Sequence, residues 1–365
     1  MERTEILEKL SDVKKNYNGI DLGKYILAFF VIAIHFHPLT SVNSVANYFV
    51  VHYLARIAVP FYFITSGFLC FRKTEYSAFD ISVPLKYAWK ILKLYIIWSI
   101  IYLIPALIDL YRVYGRIGTS MLKWMQNFLF SGSYRQLWYL KATAFAVVLV
   151  AFLVNKKWKP KAIITVASVF YCLGLMGQSY FGLLRILITD PCVWSAFDFL
   201  GNVFVTTRNG LFDGFVFVAI GAMIAFKSAE LKRSHLMVGF ALSMLILLFE
   251  VYVTHQLGWV REYDMYIMLI PASYFAFNIA VNAPIPNNPV FKEMRETSSL
   301  LYYLHTLVGW RIKRWISFLA RYIAITQINS LVLYLIVVVF SYMFALLIKH
   351  LSKHEKFRWL RVIYK

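Results

Sequence analysis

A lysine and a histidine with ten residues between them stand in the first apolar run of the chain, Asp21 to Pro38. In a helix, Lys24 and His35 are almost three turns apart, so both project from one face, about 16 Å from each other. An imidazole can take a proton from a hydroxyl near neutral pH. A lysine at the mouth of the run can hold a phosphate of a donor such as coenzyme A. With Asp21 near the same face and His35 at about half the depth of a bilayer, the pattern predicts a channel or a reaction path.

A structural interpretation of the same stretch stays open. His35 could hydrogen-bond to a neighbouring helix, and Lys24 could extend its ammonium to lipid headgroups. Ionisable groups inside a membrane are functional by default, but histidine is the mildest of them, so the two interpretations carry equal weight. His37 lies about 200° around the helix from His35, so the two histidines cannot face one site.

The composition indicates a polytopic membrane protein. Hydrophobic residues make up 60% of the 365 and charged residues 15%, whereas soluble domains carry about 25% charged residues. The net charge of +20 comes from basic residues between apolar runs, so a lipid bilayer and not nucleic acid is the predicted partner. The polar first twenty residues do not resemble a cleaved signal peptide. Cys70, Cys172 and Cys192 lack the spacing of a metal cluster or a disulfide framework.

Ten apolar segments of spanning length follow one another, which predicts an all-α bundle of about ten transmembrane helices. We expect one membrane domain over residues 1–365, with a short N-terminal segment at 1–20 and a basic tail at 349–365. The predicted segments are Lys24 to Leu39, Tyr48 to Cys70, Lys86 to Leu110, Gln136 to Val154, Ala162 to Met176, Leu211 to Phe226, Leu236 to Val253, Tyr263 to Val281, Ser298 to Ala320 and Ser330 to Ile348.

The lysines and arginines set the predicted orientation. With the N-terminus inside, 25 basic residues fall on the inner side and 11 on the outer side, while Arg56 and Lys141 lie within helices. Because cytoplasmic loops are rich in Lys and Arg, we expect both termini in the cytoplasm. Two long outer connections, Tyr111 to Arg135 and Gly177 to Asn209, are rich in aromatic residues. They are expected to hold short interfacial or re-entrant helices that shape a pocket.

Five stretches together resemble the membrane-bound acyltransferase-3 family over nearly the whole chain. They are G-I-D-L-G-K with ten residues before His35, R-I-A-V-P-F-Y-F-I-T-S-G-F-L from Arg56, L-W-Y-L from Leu137, T-R-N-G-L-F-D-G-F from Thr207, and S-S-L-L-Y-Y-L-H from Ser298. One departure is Gln136, where the family often has histidine. The stretch from Arg208 onward is also similar to the membrane half of serine racemases linked to vancomycin resistance, where this fold is thought to move or bind serine.

The acyltransferase resemblance implies transfer of an acyl group, usually acetyl from cytoplasmic acetyl-CoA, to a hydroxyl of a cell-surface glycan or its lipid-linked precursor. It implies a multi-pass protein of the bacterial cytoplasmic membrane, in which Lys24 assists donor binding and His35 is the catalytic histidine. Arg56 matches a family arginine. Physically, Arg56 could stabilise negative charge on the thioester oxygen or bind an anionic sugar. Equally, it could be a structural arginine paired with Asp213 or Glu250.

The remaining candidates have weaker support. His305 lies in the inner half of its segment and could help to bind the donor, although a core histidine with satisfied hydrogen bonds is the commoner case. Glu250, an isolated carboxylate in an apolar run, could orient His35, contact substrate or face the outer water. Arg208 is a candidate for substrate binding. The motifs of zinc proteases, serine hydrolases, nucleotide hydrolases and dinucleotide enzymes are absent, and no metal is expected.

Two mechanisms and one rival function follow from these residues. We expect the acceptor hydroxyl to attack the thioester directly, and transfer through an acetylated His35 is the alternative. The rival function is a transporter or export component for a small polar solute such as serine, with Lys24, His35 and Glu250 as a proton relay. Binding of coenzyme A separates the two functions, because a serine transporter has no reason to bind it.

Overall fold

The computed structural model describes residues 16–227, 231–320 and 328–364 of the chain. Most of the predicted N-terminal segment at 1–20 therefore lies outside the described residues. A 3₁₀ turn (Leu54–Ile57) precedes α3, a π-helical turn (Gly210–Gly214) precedes α11, and a 3₁₀ helix (Glu355–Ile363) follows α15. The α-helices of the described residues are α1 (Asn18–Phe36), α2 (Ser44–His52), α3 (Ala58–Phe71), α4 (Ser82–Ile101), α5 (Leu103–Tyr114), α6 (Ile117–Phe130), α7 (Trp138–Asn155), α8 (Pro160–Leu175), α9 (Phe181–Leu187), α10 (Pro191–Phe204), α11 (Phe215–Phe226), α12 (Arg233–Gln256), α13 (Leu269–Val281), α14 (Pro289–Leu319) and α15 (Ser330–Leu351).

The all-α prediction is confirmed for the described residues, and each of the ten predicted segments overlaps at least one helix. The second and third segments are each divided between two α-helices, and in the eighth the helix begins only at Leu269. Helices α1, α7, α12 and α15 and the continuous unit Ser44–Phe71 are long and apolar enough to cross a membrane. Helices α4 and α5 form a further candidate span that is bent by 59°, and α8, Gly210–Phe226 and α13 are shorter apolar helices. The ninth predicted segment overlaps α14, which begins earlier, at Pro289, and ends at Leu319. The count of ten crossings and the cytoplasmic placement of both termini stay predictions.

Helix α3 lies at the centre of the bundle. In the apolar window of Ser44–Phe71, 78% of the residues are buried, compared with 28% in α12 and 17% in α15. Helix α3 approaches α11 closely, because Gly67 faces the carbonyl of Val218 and Gly221 faces that of Ile64. A β-carbon at either glycine would collide with the opposite backbone. Small residues permit such close helix packing within a membrane, so this pair forms the centre on which the other helices pack.

Helix α1 is fixed at its N-terminal end against α14 and the segment before it. The side-chain amide of Asn18 donates hydrogen bonds to the carbonyls of Ile285 at 3.2 Å and Pro286 at 2.9 Å. One turn further on, Asp21 accepts hydrogen bonds from Nε of Arg295 at 2.8 Å and from its Nη2 at 2.6 Å. These contacts set the rotation of α1 and therefore the direction of its polar face.

The long connections and the C-terminal tail also contain helices. Helix α6 lies in the first long connection, and α9 and α10 lie in the second, so the prediction that both hold short helices is confirmed. In the tail, the carbonyl of Ile363 accepts a hydrogen bond from Nε1 of Trp98 on α4 at 2.8 Å. Lys349 near the end of α15 forms an ion pair with Glu293 on α14. The described part of the basic tail is therefore held against the bundle.

Candidate active site

His35 occupies the last turn of α1. The sequence predicts that this helix extends to Leu39 and that His35 lies at about half the depth of the bilayer. The structure corrects the boundary: α1 ends at Phe36, because His37 adopts a left-handed backbone conformation (φ 47°) that closes the helix. His35 therefore lies near one end of the helix, and Lys24 lies towards the other end.

The rings of His35 and His305 face each other, with their centroids 5.1 Å apart. Nδ1 of His305 lies 2.9 Å from the carbonyl of Leu301, which assigns the ring proton to Nδ1. Its Nε2 is buried and has no hydrogen-bond partner among the described residues. The imidazole of His35 makes no hydrogen bond within residues 16–227, 231–320 and 328–364. The predicted contact of His305 with the donor stays a prediction, but its ring stands beside His35 and not beside Lys24.

Two cavities meet at His35, which we call the basic cavity and the arginine cavity. The basic cavity has a volume of 160 Å³, and its lining includes four cationic side chains and one carboxylate. The arginine cavity has a volume of 40 Å³ and is lined in part by two arginines and two aspartates. The charged residues are Arg112, Arg135, Lys313, Arg314 and Asp109 in the basic cavity, and Arg56, Arg208, Asp213 and Asp264 in the arginine cavity. An imidazole between two polar cavities can contact a ligand on either side.

Asp264 joins the two arginines of the arginine cavity. Its Oδ1 lies 2.5 Å from Nη1 of Arg56, and its Oδ2 lies 2.8 Å from Nη1 of Arg208. The alternative in which Arg56 pairs with Asp213 or Glu250 is therefore wrong. The actual partner lies in the connection between α12 and α13. Burial raises the pKa of the Asp264 carboxyl, but Arg208 and Arg56 outweigh burial, so its pKa lies below the ordinary value.

The two arginines differ in how many of their donors are engaged. Arg56 is 7% exposed. Its Nε donates to the carbonyl of Val51 at 2.9 Å, and its Nη2 lies 3.2 Å from Nδ1 of His52. In contrast, Nε of Arg208 is buried without a partner in the described part of the chain, and its guanidinium lies 4.8 Å from the centre of the Trp138 ring. Arg208 therefore keeps one donor without a partner in the described residues, while Arg56 is anchored by its neighbours.

Aromatic rings connect the Lys24 end of α1 with the histidine pair. The ammonium of Lys24 lies 5.9 Å from the centre of the Tyr62 ring, and the Tyr62 hydroxyl donates to the Lys24 carbonyl at 2.6 Å. The ring of Tyr302 is centred 6.3 Å from that of Tyr62 and 6.3 Å from that of His305. The two predicted site residues of α1 are thus separated by a row of rings from α3 and α14.

Glu250 holds the start of α13. Its Oε1 accepts hydrogen bonds from the Tyr180 hydroxyl at 2.8 Å and from the backbone N–H of Ile267 at 2.7 Å, and its Oε2 accepts from the N–H of Met268 at 2.9 Å. A carboxylate at this position pairs with N–H groups that the helix leaves free and favours its dipole. The side chain is 8% exposed. The structure therefore places Glu250 in a packing role, and its predicted contact with substrate stays a prediction.

We expect Glu250→Gln to lower the melting temperature without changing the KM for either substrate. The amide cannot accept all three hydrogen bonds, and loss of a charge-assisted hydrogen bond costs about 1.5–3 kcal/mol. Melting curves and kinetics in one detergent check this expectation. Glu262→Gln is the control, because Glu262 is exposed in the connection between α12 and α13. An unchanged melting temperature with a raised KM would instead place Glu250 in substrate binding.

The sequence interpretation missed six charged residues of the site, including Asp109 of the basic cavity. Asp264 lies in the connection between α12 and α13, although the sequence analysis assigned it to the predicted segment Tyr263 to Val281, and it has no local pattern around it. Arg112 and Arg135 belong to another long connection. The adjacent pair Lys313 and Arg314 carried a usable signal, because two cations at the predicted outer end of an apolar segment are contrary to the usual inner placement of Lys and Arg.

Apolar helices around an internal site with histidine, arginine and aspartate define a membrane protein with buried polar chemistry. The model of the acyltransferase-3 family, described as an acyltransferase domain, matches residues 17–350. The chain therefore belongs to the membrane acyltransferase-3 family.

Three curated relatives are named as racemases and not as acyltransferases. An amino-acid racemase of Enterococcus faecalis is 27% identical over 269 residues, which are 73% of this chain and 36% of the relative. A further amino-acid racemase of Enterococcus faecalis is 28% identical over 346 residues, 93% of this chain and 47% of the relative. A serine/alanine racemase of Enterococcus gallinarum is 28% identical over 351 residues, again 93% and 47%. The chain thus spans less than half the length of these relatives. No solved structure matches the chain significantly.

Proposed function

We propose that this protein transfers an acetyl group from cytoplasmic acetyl-CoA to a hydroxyl of a cell-surface glycan or a lipid-linked saccharide, with His35 as the general base. The observation that carries the proposal is the position of the His35 ring. It has no hydrogen-bond partner in the described part of the chain and borders two polar cavities. A base that must reach a substrate proton needs both an open ring nitrogen and space beside it.

In the proposed reaction, the acceptor oxygen attacks the thioester carbonyl carbon while His35 takes the hydroxyl proton. The carbon–sulfur bond then breaks, the acetyl ester forms, and the imidazolium returns its proton to the thiolate of coenzyme A. Arg208, which lines the arginine cavity, would donate a hydrogen bond to the oxyanion of the tetrahedral intermediate, and the charge of Arg56 would add to this stabilisation. The acetyl group moves directly from sulfur to oxygen, so no covalent enzyme forms.

The donor is proposed to approach from the Lys24 end of α1. Lys24 would hold a phosphate of coenzyme A at the cytoplasmic surface, and the flexible arm that carries the thioester would cover the distance of about 16 Å to His35. Movement of the Tyr62 and Tyr302 rings would open this route, since they lie between Lys24 and His305. His305 would then contact the thioester end of the donor.

We expect Lys24→Ala to raise the dissociation constant for acetyl-CoA roughly 10-fold or more, because one charge-assisted contact with phosphate is lost. Titration calorimetry with the protein in nanodiscs measures this change. Lys86→Ala is the matched control, since Lys86 is an exposed lysine near the predicted cytoplasmic start of α4. Equal weakening in both variants would show a general charge effect and remove Lys24 from the donor site.

A second candidate is translocation of a small amino acid such as serine. It is favoured by the curated relatives, which are named as amino-acid and serine/alanine racemases. Ligand-dependent melting curves separate the two functions. Acetyl transfer requires that acetyl-CoA raise the melting temperature, whereas stabilisation by L-serine and not by acetyl-CoA would favour translocation.

A further inference from the structure

Four cationic side chains from three parts of the chain line the basic cavity beside His35. Arg112 lies on α5, Arg135 follows α6, and Lys313 and Arg314 lie on α14. The cavity volume of 160 Å³ is several times the roughly 30 Å³ that one water occupies in the liquid. The basic cavity therefore has room for an ionic group of a substrate next to the proposed base.

The carboxylate of Asp109 in this lining is bonded to neutral groups. Its Oδ2 accepts a hydrogen bond from the Tyr134 hydroxyl at 3.0 Å, and its Oδ1 accepts one from Nε1 of Trp310 at 3.1 Å. Among the ion pairs of the described residues, none includes a cation of the basic cavity. The lining therefore carries four cations and one carboxylate, a net charge of +3, and none of the cations is ion-paired within the described residues.

Aromatic rings hold two of the cations at the cavity wall. The guanidinium of Arg314 lies 5.0 Å from the centre of the Trp310 ring, and the ammonium of Lys313 lies 5.2 Å from that of Phe36. Contacts with a ring face position a cation but use none of its hydrogen-bond donors. Both side chains therefore keep donors for a ligand.

The four cations of the basic cavity are close enough together for their repulsion to matter. Like charges that converge on one small volume repel each other, and an anion between them removes the repulsion. On the predicted orientation, all four cations lie on the outer side, where membrane proteins carry few lysines and arginines. Four of the 11 predicted outer basic residues line this single cavity. Binding of an anion explains both their placement and their position next to His35.

We propose that the basic cavity binds a phosphate ester of the acceptor and holds it so that a hydroxyl of the same molecule reaches His35. Guanidinium groups match the geometry of phosphate oxygens, and several cations favour a doubly charged phosphate over a single carboxylate. The assignment of this anion to the acceptor rests on the proposed acetyl transfer. Binding of the phosphate group itself does not depend on that reaction.

A binding experiment without acetyl-CoA tests the proposal. The protein in phosphatidylcholine nanodiscs is titrated with N-acetylglucosamine 1-phosphate and, separately, with N-acetylglucosamine. We expect the phosphorylated sugar to bind, and the neutral sugar to bind at least roughly 10-fold more weakly. Arg135→Gln and Arg314→Gln are each expected to weaken binding of the phosphorylated sugar roughly 10-fold. Arg311→Gln is the matched control, because Arg311 is exposed on α14 and does not line the cavity.

Three results would overturn the proposal. The first is equal binding of the two sugars, and the second is unchanged binding in Arg135→Gln and Arg314→Gln. The third is competition by phosphatidylglycerol introduced into the nanodisc, which would assign the cavity to a lipid headgroup instead of the acceptor. Failure of the acetyl-transfer proposal gives a different result. If the protein binds the phosphorylated sugar but does not use acetyl-CoA, the anion site is supported and the proposed reaction is refuted.

Discussion

Replacing His35 by alanine is expected to slow acetyl transfer by roughly 10²–10⁴-fold, the usual contribution of a general base. The variant removes the one imidazole that borders both the basic cavity and the arginine cavity in the described part of the chain. We expect the protein to stay folded, because the ring of His35 makes no hydrogen bond within the described residues. The measurement is the rate of acetyl ester formation from radiolabelled acetyl-CoA at equal amounts of folded protein.

The matched control for this change is His37→Asn. His37 lies two residues away, and its Nδ1 lies 3.5 Å from Nδ2 of Asn47, away from the histidine pair. Asparagine tolerates the left-handed backbone at this position better than alanine does. We expect the control to keep nearly the full rate. A full rate in His35→Ala, or an equal loss in both variants, would remove His35 from the chemistry.

The largest expected loss of stability comes from Asp264→Asn. This change leaves two arginines without their shared carboxylate, and removing one partner of a buried ion pair costs about 3–5 kcal/mol. Because Arg208 loses the contact that orients its guanidinium, acetyl transfer is expected to fall as well. Denaturant unfolding in detergent measures the first effect, and the radiolabel assay measures the second.

Three further observations test this role of Asp264. Glu262→Gln, in the same connection but exposed, is expected to leave stability unchanged. The double variant Asp264→Asn with Arg208→Gln is expected to lose less than the sum of the single losses, because one unpaired charge is removed. The pKa of Asp264 is lowered in the folded protein, so its contribution is present above a pH of about 4 and is lost as the pH falls through the lowered pKa. An Asp264→Asn variant as stable as the Glu262→Gln control would contradict the pairing.

Local patterns predicted the elements of the fold. Each apolar run of sufficient length is mostly helical in the structure, because a backbone in hydrocarbon must satisfy its hydrogen bonds within the segment. The spacing between Lys24 and His35 placed both on one helical face for the same geometric reason. The order of five short stretches also predicted the family, which the match over residues 17–350 confirms.

The partners across the bundle could not be predicted in this way. Asp264 and Arg56 are 208 positions apart, and their contact depends on which helices are neighbours. Apolar residues cover both the buried and the lipid-facing sides of these helices, so hydrophobicity does not separate the interior helix α3 from the peripheral helix α15. Glu250 was missed as the residue that holds α13, because its three donors come from two distant connections.

The position of His35 depended on a backbone feature that the sequence did not reveal. The apolar run continues past Phe36, but His37 closes the helix with a positive φ. The histidine therefore lies next to the basic cavity, whose cations come from α5, α14 and the connection between α6 and α7. The cations of the basic cavity and the His35 ring are distant in sequence and become neighbours only in the folded chain.

The most direct test of the proposed reaction supplies radiolabelled acetyl-CoA and a cell-envelope glycan extract to purified protein in nanodiscs, with wild type beside His35→Ala. We predict alkali-labile label on the glycan fraction with wild type, almost none with His35→Ala, and no label retained on the protein when the donor is given alone. Absence of both donor binding and donor turnover in the wild type, together with binding of L-serine, would contradict acetyl transfer and favour amino-acid translocation.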